Sequence, residues 1–174
     1  MNSKMVIGID GRCGAGKTTL ANLLSDKLDA PVIHMDDFFL PLSLRTKERL
    51  EEAGGNIHYE RFKEEVTKGL NMNQSMTYRA FDCKIMDYSH EILIPKAPIT
   101  IVEGVYSFHP FFGNVYDYKI FCDIMKENQK ARIISRNGKE NYEQFEQRWI
   151  PMEEKYFDEF GIREQCDITI TLSL

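Results

Sequence analysis

Met5-Val6-Ile7-Gly8-Ile9-Asp10-Gly11-Arg12-Cys13-Gly14-Ala15-Gly16-Lys17-Thr18-Thr19-Leu20 opens on an almost unbroken apolar run, then turns through three glycines into a leucine-bearing stretch. An apolar run of this kind reads as a strand buried on both faces, the pattern of a parallel sheet. From Lys17 to Leu28 the leucines at 20, 23, 24 and 28 recur at helical spacing. Pro31-Val32-Ile33-His34-Met35 then reads as a second short strand, so the chain opens on a βαβ unit.

The turn from Gly11 to Thr18 fits G-x-x-x-x-G-K-[ST] in full. Glycines let the backbone curl and bring its N–H groups close to an anion. The helix that follows points its positive end at the same place. The expectation is an ATP site built from Gly11, Arg12, Cys13, Gly14, Ala15, Gly16, Lys17, Thr18 and Thr19. Lys17 reaches the β- and γ-phosphates, and the Thr18 hydroxyl is a magnesium ligand. Cys13 reads as a small loop residue.

Further along, Ile99-Thr100-Ile101-Val102, Tyr118-Lys119-Ile120-Phe121-Cys122 and Cys166-Asp167-Ile168-Thr169-Ile170-Thr171 read as strands. Helical stretches fall at about 129–136 and 142–160. Alternating strands and helices predict an α/β fold with a doubly wound parallel sheet. Residues 38–96 are more polar, with Gly54-Gly55, one helix near 60–70 and short extended segments. They read as an insertion over the mouth of the sheet, where open α/β sheets bind ligands. The 174 residues suit one domain, 1–174, and 43% hydrophobic content supplies one sizeable core. A net charge of -5 argues against a nucleic-acid binder that depends on a broad basic face. Four cysteines without C-x-x-C spacing indicate neither a zinc ribbon nor a redox motif. The N-terminal apolar run is too short for a signal peptide or a membrane span, so a cytoplasmic protein without membrane partners is expected.

Two strand ends carry acids. Asp36 and Asp37 follow the second strand, on the edge that holds the phosphate loop. An aspartate there can orient an attacking hydroxyl and accept its proton, or it can cap a turn. Glu103, in Val102-Glu103-Gly104, ends the third strand and suits a magnesium site or a solvated strand end. His34 and His109 belong to no constellation and read as structural or exposed.

Together these residues resemble the uridine kinase family, a group that includes nicotinamide riboside kinases and phosphoribulokinases. Met35-Asp36-Asp37-Phe38-Phe39, Val102-Glu103-Gly104, the helix segment Trp149-Ile150-Pro151-Met152-Glu153-Glu154-Lys155-Tyr156 and the closing Cys166-Asp167-Ile168-Thr169-Ile170 carry the resemblance, over nearly the whole chain. It implies a three-layer α/β/α P-loop fold of nucleoside-kinase type with a five-stranded parallel sheet. It also implies ATP and Mg²⁺ as cofactors and a small-molecule hydroxyl acceptor of nucleoside type as partner. The catalytic set would be Asp36, Lys17, Arg132 and Arg136, with Thr18 and Glu103 at the metal. Arg132, Arg136, Lys139 and Glu140 fall in register with the family's lid, at about 128–141, although Ser135 replaces one arginine. Substrate contacts would come from Asp36, Phe39, Tyr59, Arg79, Asp82 and Glu103, with Arg61 beside Tyr59. Each of the pocket residues also reads as a surface or packing residue. Met86 and Tyr88 stand where uridine–cytidine kinases carry a His and an Arg, which keeps a non-nucleoside alcohol open as acceptor. A regulatory nucleotide-binding module is the third reading, although the N-K-x-D motif of a GTPase is absent. A homo-oligomer is left open.

Overall fold

The computed structural model describes residues 4–171. Strand β1 (Met5–Gly11) leads through the glycine turn into helix α1 (Lys17–Leu28) and strand β2 (Val32–His34). A 3₁₀ turn, Met35–Phe38, follows at once, then the short helix α2 (Lys47–Glu51). Helix α3 runs on through Tyr59–Phe62, a wider π-type turn Lys63–Thr67, and Lys68–Met72. Strands β3 (Met76–Asp82) and β4 (Asp87–Ile94) form a hairpin before β5 (Ile99–Glu103) and β6 (Tyr118–Asp123). Helix α4 (Lys126–Asn137) breaks at Gly138, whose φ is +87°. Helix α5 continues through Lys139–Gln144, a π-type turn Phe145–Trp149, and Ile150–Phe160. Strand β7 (Ile168–Thr171) closes the described chain.

Five strands pair in parallel in the order β2-β5-β1-β6-β7. Alternation along β1 gives the sheet two different faces. Ile7, Ile9, Ile101 and Ile120 pack against Ala21 of α1 and its neighbours. Val6, Val102 and Phe121 face the opposite way, into a larger core with α3, the hairpin and α5. The result is the expected three-layer α/β/α arrangement.

Three details differ from the sequence reading. Leu23 and Leu28 of α1 are 58% and 39% exposed. Only Leu20 and Leu24 of that set lean on the sheet, beside buried Ala21, so the leucine stripe is wider than the face it covers. The last strand begins at Ile168, two residues later than its apolar pattern suggested. Asp167 still bonds β6, its N–H donating to the Lys119 carbonyl at 2.9 Å while its carboxylate accepts the Lys119 N–H at 2.7 Å. The extended segments of the insertion form an antiparallel pair, β3–β4, apart from the main sheet. Met76, Tyr78 and Ala80 alternate inward along β3, so one face of the hairpin joins the core. Among the described residues no helix is long and apolar enough to cross a membrane.

Candidate active site

Gly11 ends β1 with φ +128°, and a Cβ there would stand 2.1 Å from the Cys122 carbonyl oxygen. That position therefore requires glycine. Gly16, at φ +88°, caps α1 without a side-chain hydrogen bond, which leaves the first backbone N–H groups of the helix open to a ligand. Lys17 is buried, and its ammonium donates to the carbonyls of Gly11 at 2.8 Å and Arg12 at 3.0 Å. Thr18 and Thr19 are exposed on the first turn.

The loop is held from behind. Gln129 of α4 donates to the Cys13 carbonyl at 3.0 Å, and Arg132 donates to the Gly14 carbonyl at 3.0 Å. From α5, Glu153 accepts the Cys13 N–H at 3.0 Å. Arg12 pairs with Asp123 at 2.9 Å and with Glu154. Arg12 is thus committed to ion pairs behind the loop. The Cys13 thiol is buried and pushed up to about 12 by burial and then by Glu153, which removes it as a nucleophile.

Glu103 lies where β5 is in register with Ile9 on one side and His34 on the other. Its Oε1 accepts from Thr18 Oγ1 at 3.1 Å and meets His34 Nδ1 at 2.6 Å. Bonding to Glu103 raises the His34 pKa, so this histidine is built into the acid edge rather than left at the surface. The Asp36 side chain is open to solvent, with protein packed around it. Burial by the surrounding protein raises its pKa, Lys17 opposes the rise, and Glu103 and Asp37 add to it. Asp37 is turned toward the insertion, where Tyr78 Oη donates to its carboxylate at 3.0 Å.

Buried Asp10 escaped sequence reading. Asp10 accepts the N–H groups of Gly11, Tyr106 and Phe108 at 2.6, 3.2 and 3.0 Å, and the Tyr156 hydroxyl at 2.8 Å. It ties the loop after β5, including Tyr106 at φ +76°, to the base of the phosphate loop. Burial pushes Asp10 up to about 6 despite those four bonds.

On the acceptor side the expected residues divide. Phe39 is half-buried and meets the edge of Phe81 at 6.1 Å. Asp82 caps the hairpin turn, accepting the Lys84 N–H at 2.7 Å. Cys83 beside it feels the charge of both Asp36 and Asp82, so this turn lies near Asp36. Arg79 is exposed, with its guanidinium 5.0 Å from the Tyr88 ring. Tyr59 is drawn away into packing. Its ring stacks on His109 at 4.5 Å, lies under Arg49 at 3.7 Å, and its hydroxyl donates to Glu52 at 2.9 Å. None of these contacts joins it to the acid pair. Arg61 is buried and donates to the carbonyls of Arg79 and Asp37 at 2.6 and 2.5 Å, a staple between α3, β3 and the turn after β2. Its contacts are internal.

In the stretch expected to form a lid, Arg132 and Arg136 diverge. Arg132 is half-buried against the loop, whereas Arg136 is exposed, bonds Asn137 at 2.7 Å and lies 6.0 Å from the Phe145 ring. Lys139 and Glu140 are exposed beyond Gly138. The residues present fit a polyphosphate with its magnesium. At Gly11 the loop has no room for a Cβ, and the buried Lys17 ammonium bonds only carbonyls among the described residues. A hydroxyl beside one carboxylate suits an ion that keeps most of its ligands as water and phosphate.

Such a sheet, loop and pair of acid edges define a P-loop kinase fold. A solved structure described as a "possible uridine kinase" from Bacillus stearothermophilus superposes with a TM-score of 0.73, over 97% of this chain and 89% of that one, at 21% identity. Nicotinamide riboside kinase 1 of Mus musculus is 32% identical over 143 residues, covering 76% of this chain and 67% of the relative. Uridine kinase of Borrelia duttonii (strain Ly) is 29% identical over 142 residues, 76% of this chain and 66% of the relative. The chain thus spans just under two thirds of that uridine kinase. No protein-family model matches the sequence. The chain belongs to the uridine kinase and nicotinamide riboside kinase family of P-loop kinases.

Proposed function

We propose that this protein transfers the γ-phosphoryl group of ATP to a hydroxyl of a small nucleoside-type acceptor. What supports the reading is the meeting, at one edge of the sheet, of a buried lysine inside a glycine loop and an open aspartate whose charge it feels. The loop N–H groups and Lys17 bind the β- and γ-phosphates. Asp36 orients the acceptor hydroxyl and takes its proton as the oxygen attacks the γ-phosphorus, while the bond to the ADP oxygen breaks. Thr18 and Glu103 would hold Mg²⁺, which when bound neutralises phosphate charge. Residues 38–96 shape the acceptor pocket and residues 128–141 form the lid, with Arg132 and Arg136 over the phosphates.

A second acceptor class is favoured by one observation. Arg45, whose guanidinium lies 5.8 Å from the Phe81 ring, donates to the Leu40 carbonyl at 2.6 Å and makes no ion pair among the described residues. Burial and then the charge of Arg148, on α5, lower its pKa. Two guanidinium groups close enough for one to feel the charge of the other suit an alcohol that carries a carboxylate or phosphate. Tyr88, meanwhile, is bound to His58 at 2.5 Å and cannot serve as the cation that uridine–cytidine kinases place there.

The deciding measurement is ADP release with a panel of neutral ribosides, neutral sugars and acidic alcohols. Acceptor-dependent ADP release that vanishes in Lys17→Ala, in a variant that still folds and unfolds cooperatively, is the expected result. Turnover that survives Lys17→Ala would overturn the assignment. Preference for ribosides selects the first acceptor class, and preference for acidic alcohols lost in Arg45→Ala selects the second.

A further inference from the structure

Four consecutive side chains of α5 reach other elements, three of them the stretch 10–13 and one the end of α2. Glu153 takes the Cys13 N–H, Glu154 pairs with Arg12, Lys155 reaches the Glu51 carbonyl, and Tyr156 bonds Asp10. Three of those links are explained as struts. Glu153 is not, because it places a carboxylate, 5% exposed, against a backbone N–H of an anion-binding loop. Such N–H groups are the donors that a P-loop offers to phosphate.

The charges around Glu153 locate it. Lys17 of the loop stabilises its anion, while Asp10 on β1 and Asp36 after β2 oppose it. Glu153 in turn raises the pKa of the Cys13 thiol and of the Tyr106 hydroxyl, which face it from the loop and from the segment after β5. Glu154, next in sequence, is turned to Arg12. Glu153 therefore lies within the field of both Lys17 and Asp36, the two groups assigned above to the phosphoryl group and the attacking hydroxyl.

We propose that Glu153 is a positioning residue that holds the Cys13 N–H in the absence of nucleotide and takes up a proton when the phosphates enter. The inference rests on the kinase reading of the site. An anionic polyphosphate brought into a loop that already faces a buried carboxylate repels it, and protonating Glu153 removes the repulsion while the neutral acid can turn and donate. Burial already pushes Glu153 up to about 7, so the added proton is available near neutrality. The sign follows from linkage. A group that binds a proton more tightly in the complex makes the complex tighter as pH falls. Nucleotide affinity should therefore decline as pH rises from 6 to 8.

Calorimetry with a non-hydrolysable ATP analogue and Mg²⁺, in buffers of different ionisation enthalpy, tests this on the wild-type chain. Net proton uptake at pH 7.5 is expected. Glu153→Gln keeps an oxygen acceptor for the Cys13 N–H and removes the charge. It should abolish that uptake, flatten the pH dependence, and bind the analogue about tenfold more tightly at pH 8, the scale of one pK unit of interaction. Binding without proton uptake by wild type overturns the inference and leaves the kinase reading intact. Uptake that persists in Glu153→Gln assigns the proton to another group, Asp10 foremost, and also overturns it. Failure of the wild-type chain to bind any nucleotide overturns both readings at once.

Discussion

Two neighbouring aspartates end β2, and their surroundings separate their roles. Asp36 is open to solvent and under the influence of Lys17, whereas Asp37 is taken up by the Tyr78 hydroxyl. Asp36→Asn should slow the chemical step about a hundredfold or more, the usual scale for a positioned base, with little change in nucleotide affinity. Single-turnover rates for Asp36→Asn and Asp37→Asn measure the contrast, and equal losses would erase it. At Asp10 the prediction concerns stability. Its folded pKa lies above the value of 3.8 for a free aspartate, so stability declines as pH rises from about 4 to about 6 and then levels. Tyr156→Phe removes a donor to that carboxylate and should cost about 1.5–3 kcal/mol at pH 8, where Asp10 is charged. The cost should shrink at pH 5. Urea unfolding at both pH values is the check, and a pH-independent loss would mean the hydroxyl serves packing alone. Neither Asp10 nor Glu153 was legible as a functional group in the sequence. Apart from Gly11, next in sequence, their partners lie 96 to 146 residues away, and an acid at the end of an apolar strand gives no local sign of them.

Elements whose pattern is local were legible. The apolar run of β1, the glycine turn and α1 follow from spacing and composition, because a buried parallel strand and a phosphate loop each impose their own residues. The hairpin was not, since its pairing depends on Phe81 meeting Tyr88 across a turn in which Met86 adopts φ +55° without a glycine to announce it. Helix α4 shows a subtler gap. Arg132 and Arg136 sit one turn apart and look equivalent in sequence, yet one grips the loop and the other meets solvent. Their variants should therefore separate. Arg136→Ala should alter stability by less than about 0.5 kcal/mol, as exposed substitutions do. It should lower turnover sharply if the helix closes over phosphate. Arg132→Ala should lower turnover too, and should also cost about 1 kcal/mol through the lost bond to the Gly14 carbonyl. Melting curves alongside single-turnover kinetics decide between these outcomes. Unchanged turnover in both variants would show that the helix serves the fold alone.

The insertion and the sheet share one core, and that determines how the whole molecule unfolds. Val6 and Val102 of the sheet pack with Phe38, Phe62, Val66 and Tyr78 of the insertion and with Tyr156 and Phe157 of α5 in a single cluster. Phe62 is fully buried, its ring 4.9 Å from Phe38 and 4.3 Å from Phe112. A segment that acted as an independent domain would carry its own core and only a modest contact with the rest. Here the apolar interior passes from one to the other without a polar boundary, and Arg61 adds bonds from α3 to the backbone at Asp37 and Arg79. The chain should therefore unfold as one cooperative unit. Phe62→Ala should cost about 3–5 kcal/mol by leaving a cavity that rigid neighbours cannot fill. Because the core is common, that loss should appear equally at both ends of the molecule. The experiment is urea unfolding followed by far-ultraviolet circular dichroism and by fluorescence of Trp149 on α5, the only tryptophan in the chain. Coincident transitions, displaced together by Phe62→Ala, are the expected result. An early transition confined to the insertion, with Trp149 unmoved by Phe62→Ala, would show that residues 38–96 fold on their own over a kinase core that stands without them.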